Sequence, residues 1–114
     1  MTKLVRDKIP ALMGDHVTVA KVKDPKERLK WLFEKLREET EELITAGKAG
    51  PSGRHPSPDR VKERRLEELG DVLEVLSKIG EELGLTEDDI TIKMELKAEK
   101  KGVFNEMYLL VSPP

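Results

Sequence analysis

The chain of 114 residues contains no cysteine, so it can build no disulfide, no thiolate zinc site and no cysteine nucleophile. It has no glutamine, one asparagine (Asn105) and four aromatic residues: Trp31, Phe33, Phe104 and Tyr108. Histidine is confined to His16 and His55, too few for a His-rich metal cage, and neither sits in a partner pattern that assigns it a role. No apolar run is long enough to span a bilayer, and Met1 leads straight into Lys3, Arg6 and Asp7. A signal peptide and a membrane helix are therefore not expected, and the expected location is cytoplasmic, with no membrane partner. Neither sign of charge dominates: 21 basic residues stand against 23 acidic ones, for a net charge of −2. Nothing in that balance advertises binding to nucleic acid.

What the chain does have is charge in both signs, at 39% of residues, against 37% hydrophobic. That leaves a thin core and a heavily charged surface. A mass of 12.9 kDa suits one domain, residues 1–114, and a chain this small gains from hiding more surface in a homodimer or a dimer of dimers.

Helix signals dominate the pattern. Asp24-Pro25 is a cap followed by a proline at the first helical position, where no hydrogen bond is lost. The helix it opens is expected to run to about Ala46 and stop at Gly47, with Leu29, Leu32, Phe33, Leu36 and Leu43 along one face. Residues 47–58, rich in Gly and Pro, read as a loop, a connector rather than a lid. Ser57-Pro58 repeats the start signal, and a second helix over roughly 59–83 carries Leu69, Val72, Leu76, Ile79 and Leu83, ending at Gly84. Thr86 with Asp89 resembles a capping box and opens a third helix, ended by Gly102. Pro10 keeps any N-terminal helix short. The β-branched or alternating segments 16–22 and 103–111 predict a small β-ribbon. The fold class is thus all-α: an antiparallel helical bundle with a minor ribbon near the termini.

Two acidic groups carry the chemistry, EETEE at 38–42 and EELGD at 67–71. Each holds an i,i+3 pair, Glu39/Glu42 and Glu68/Asp71, and residues three apart on a helix are neighbours on one face. At about 100° per residue, both pairs fall roughly 80° and 140° from their helix's apolar stripe, in the same rotational sense. Antiparallel helices packed through those stripes bring equal offsets out on one common side, so the four carboxylates can share an ion. All-oxygen ligands of this kind suit Mg²⁺, with Mn²⁺ as a substitute. A lone ExxE in a chain this charged is usually a solvated face; two matched pairs bordering the core shift the reading toward a site. Unmetallated, the four would repel one another and raise each other's pKa.

With these blocks goes KLVRDKIP at 3–10, together with KLREETEEL at 35–43, EELGDVLEV at 67–75 and KAEKKGVF at 97–104. In that order they resemble the MazG-like all-α nucleotide pyrophosphohydrolases, a superfamily that includes phosphoribosyl-ATP pyrophosphohydrolase. The resemblance implies that Glu39, Glu42, Glu68 and Asp71 bind Mg²⁺. It implies hydrolysis of a nucleoside triphosphate, canonical or non-canonical, to monophosphate and pyrophosphate. Glu38 matches the first Glu of the acidic block and becomes a candidate general base, although the helical arithmetic turns it away from the stripe. Lys3, Arg6, Lys8, Lys97, Lys100 and Lys101 are the matched candidates for meeting phosphates; Lys100 and Lys101 also complement a helix C-terminus. Trp31 lies off its helix's stripe, which suits an interface residue better than a stacking platform, and Gly70 is expected to permit close helix contact. Two other readings stay open: phosphoribosyl-ATP hydrolysis in histidine biosynthesis, and a helical dimer with no catalytic activity.

Overall fold

The computed structural model describes residues 2–48 and 57–112. It is all-helical: α1 (Ile9–Met13), a 3-10 turn (Gly14–His16), α2 (Pro25–Lys48), α3 (Pro58–Glu82) and α4 (Glu87–Lys101). The start signals work as read. Asp24 accepts from the Glu27 amide at 3.1 Å, Ser57 from the Arg60 amide at 3.2 Å, and Thr86 from the Asp89 amide at 3.1 Å. Each satisfies one of the amides that a helix N-terminus leaves unpaired. At the far end of α3 the chain turns through Gly84 at φ +74°, a left-handed conformation that suits glycine.

The chain divides into two compact units, Met1–Gly84 and Leu85–Pro114. In the first, α2 and α3 pack antiparallel, which two ties make plain. Arg28 at the start of α2 bonds Glu82 at the end of α3, with Nε to Oε1 at 2.8 Å. At the other end Arg65 of α3 donates to the carbonyls of Ala46 and Gly47, each at 3.1 Å. Leu32, Ala46 and Ile79 are the buried apolar residues between them among those described. The second unit holds α4 and the segment after it. Ile90, Ile92, Met94 and Leu96 are all exposed, and at about 100° per residue they scatter around α4 rather than form one stripe.

Four expectations need correction. The β-ribbon is absent among the described residues: 16–22 and 103–111 form no strand. β-Branched residues favour a strand only where a neighbouring backbone takes up the amides and carbonyls, and neither segment has one. Gly47 does not stop α2, which continues to Lys48, because Arg65 holds the last carbonyls. Gly70 makes no close approach; a Cβ there would meet nothing within 4 Å, and the buried glycine of α3 is Gly80. Of the apolar positions expected to face the core, Phe33, Leu69, Leu76 and Leu83 are exposed. The loop over 49–56 lies outside the described residues, as does His55.

Candidate metal centre

Three of the four carboxylates converge. Glu39 and Glu42 from α2 and Glu68 from α3 each offer an oxygen, and these oxygens lie within 4.8 Å of one another. The helical offsets explain the meeting: these residues border their helices' packing faces, so antiparallel packing brings them out on one common side. Glu39 is the most deeply placed, only 6% exposed; Glu68 is half-buried and Glu42 exposed.

The burial has a consequence. Oε2 of Glu39 and Oε2 of Glu68 are both removed from solvent without a hydrogen-bond partner. A buried carboxylate oxygen with no donor is costly, and carboxylates facing each other add repulsion. A hard divalent cation answers both costs, and a set of carboxylate oxygens is the donor chemistry that Mg²⁺ and Mn²⁺ take. The residues present therefore fit such an ion.

Protein cations meet part of that demand. Lys35 Nζ stands 3.2 Å from Oε1 of Glu39 and 3.4 Å from Oε2 of Glu38. Burial pushes the Glu39 carboxyl above its ordinary value; the Lys35 bond opposes this, and the neighbouring Glu42 and Asp71 charges add to the rise. Lys35 was not picked out from the sequence, although its i,i+4 spacing to Glu39 was there to read.

Asp71 lies one turn beyond Glu68 on α3, but it is not in the converging group. Its Oδ1 accepts from Arg6 Nη2 at 2.5 Å, and the other Nη of Arg6 bonds Glu74. Neither that capture nor Glu74's part in it is visible in the sequence, because the partners are 65 and 68 residues apart.

Glu38 is half-buried and lies between Lys3, with Nζ at 3.6 Å, and Lys35, which also holds Glu39. Of the expected phosphate-binding residues, Lys3 and Arg6 therefore sit against carboxylates beside the cluster, and Lys8 is exposed just before α1. Lys97, Lys100 and Lys101 are exposed on α4 in the second unit, the last two in its final turn. Trp31 is half-buried and lines a cleft with Thr2, Lys3, Leu4 and Lys35, while Lys30 Nζ stands 5.4 Å from its ring centroid. His16 closes the short 3-10 turn.

No helix among the described residues is long and apolar enough to cross a membrane. Compared with known proteins, the chain matches no family model, no curated protein and no solved structure.

Proposed function

We propose that this chain is a Mg²⁺-dependent nucleotide pyrophosphohydrolase that converts a nucleoside triphosphate to a monophosphate and pyrophosphate. The observation that carries the reading is the convergence of Glu39, Glu42 and Glu68 with two buried carboxylate oxygens lacking any partner. The resemblance of its four sequence blocks to the MazG-like enzymes, two of which contain these carboxylates, also supports it. Glu39, Glu42 and Glu68 would hold the ion, with Asp71 as the fourth ligand. Bound there, Mg²⁺ supplies charge neutralisation at phosphoryl oxygens and a water of lowered pKa.

The chain's own residues supply the rest. Lys3, Arg6 and Lys8 bring three cations to the N-terminal segment, two of them already beside the cluster, to take the polyphosphate. Lys97, Lys100 and Lys101 are further candidates through the resemblance alone. Glu38, held between Lys3 and Lys35, is the candidate base. A cytoplasmic nucleotide pool is the substrate source that this reading implies.

The same proposal includes a homodimer. Leu66, Leu69, Leu73 and Leu76 recur at three- and four-residue spacing along α3, and each is 45% exposed or more. A leucine seam of that spacing is the pattern by which helices pack on helices.

The test is a panel of ordinary, deoxy- and damaged nucleoside triphosphates plus phosphoribosyl-ATP, assayed for pyrophosphate release. Release with Mg²⁺ that chelation abolishes is expected for at least one triphosphate. Turnover of phosphoribosyl-ATP alone would move the chain to the biosynthetic reading, and no turnover at all would leave a helical dimer without catalysis.

A further inference from the structure

The N-terminal segment crosses the helix pair beside the carboxylate cluster. Lys3 is tied to Glu38 of α2 and Arg6 to Asp71 and Glu74 of α3. Three residues span at most about 10 Å, close to the separation of two packed helices, so residues 3–6 form a strap from one to the other. Its α3 anchor is the one expected ligand that the cluster lacks.

That anchor is built to let go. The Arg6 side chain is 54% exposed, and exposed ion pairs are weak. A guanidinium does not lose its charge at any ordinary pH, so a second cation arriving at Asp71 meets a charged competitor there. The nearest demand for such a cation is one helical turn away, at the unpartnered oxygens of Glu39 and Glu68.

We propose that Arg6 is a displaceable counter-ion: it occupies Asp71 until a divalent cation enters the Glu39–Glu42–Glu68 cluster and takes that carboxylate from it. The exchange frees the strap and delivers a guanidinium, with its forked donors, to whatever phosphate the cation holds. Cation loading and exposure of the phosphate-binding arginine are then one event, and the cation-free chain keeps its phosphate site closed. This rests on the reading of the cluster as a divalent cation site.

The chain carries its own reporter. Trp31, the sole tryptophan, shares its cleft with Lys3 and Leu4 of the strap and with Thr2 before it. The experiment is titration of the full chain with Mn²⁺, followed by calorimetry and by Trp31 fluorescence, for the parent, Arg6→Lys and Arg6→Ala. Cation binding should shift Trp31 emission in the parent. Arg6→Ala should bind up to about tenfold more tightly, having lost a competitor, and its metal-free emission should already resemble that of the loaded parent. Arg6→Lys, which keeps the charge but lacks the forked donors of the guanidinium, should fall between. Equal or weaker binding by Arg6→Ala, or a Trp31 signal that ignores the cation, overturns the exchange while leaving the metal centre standing. No binding by any of the three proteins overturns the metal centre itself.

Discussion

Arg28 and Glu82 join the first turn of α2 to the last turn of α3, with the guanidinium Nε 2.8 Å from the carboxylate and a second nitrogen on the same oxygen. Arg28 also donates to the Val22 carbonyl at 3.3 Å, so the chain entering α2 is tied to the same point. The bond to Arg28 holds the Glu82 carboxyl below its ordinary value. Between the lowered and the ordinary value the folded chain binds fewer protons than the unfolded one. The stability from this pair is therefore complete above the ordinary carboxylate range and is lost as the pH falls through the lowered value. Thermal melts across the acid limb should show that loss in the parent and not in Arg28→Ala, which should also melt lower at neutral pH. Parallel acid limbs would show that the pair adds nothing.

Glu39 carries the opposite sign. Its raised carboxyl makes the folded chain bind more protons than the unfolded one between the ordinary and the raised value. Stability should fall as the pH rises through that window and level off above it. Glu39→Gln should flatten the fall and leave the metal-free protein at neutral pH at least as stable as the parent. Adding Mg²⁺ should raise the parent's melting temperature and leave that of the variant unmoved. A Glu39→Gln protein less stable than the parent without metal would show that the carboxylate is a structural partner of Lys35 rather than a ligand in waiting.

Helix boundaries were legible because their signals are local. Asp24-Pro25, Ser57-Pro58 and Thr86 each act on an amide three residues on. The convergence of Glu39, Glu42 and Glu68 was legible for a related reason, since helical period and antiparallel packing decide it together. What failed was whatever needed a distant partner. Segments 16–22 and 103–111 have strand-like composition, but nothing within them says whether another backbone will lie alongside. Asp71 reads like its three companions until Arg6, 65 residues earlier, lies against it. Gly47 carries the usual mark of a helix end, overridden by an arginine 18 residues on.

For catalysis, the sharpest single change is Glu68→Gln. The amide keeps the shape and removes the charge, so the far-ultraviolet circular dichroism should be unchanged. Nucleotide turnover should fall by about two orders of magnitude or more, the scale seen when a group that stabilises transition-state charge is lost. Glu42→Gln and Asp71→Asn should behave alike. Variants at all three positions that match the parent in pyrophosphate release would sink the site.

The leucine seam makes a separate prediction. Light scattering at micromolar concentration should return twice the chain mass of 12.9 kDa, and Leu69→Lys with Leu73→Lys should bring it down to one. A parent monomer, or a dimer indifferent to both lysines, would remove α3 as the interface.

Arg65 holds the end of α2 from outside it, and this bears on the order in which the hairpin forms. A glycine inside a helix costs about 1 kcal/mol relative to alanine, so the turn containing Gly47 is weak by itself. Its Ala46 and Gly47 carbonyls are bonded by a side chain that arrives only when α3 docks. The last turn of α2 is thus a late event in folding, coupled to a contact across the 49–56 connection rather than to helix growth. In the native protein the same coupling merges two openings into one: fraying of that turn and lifting of the first turns of α3. Amide hydrogens at the end of α2 should exchange at the rate of the α2–α3 pair, not at the faster rate of a free helix terminus.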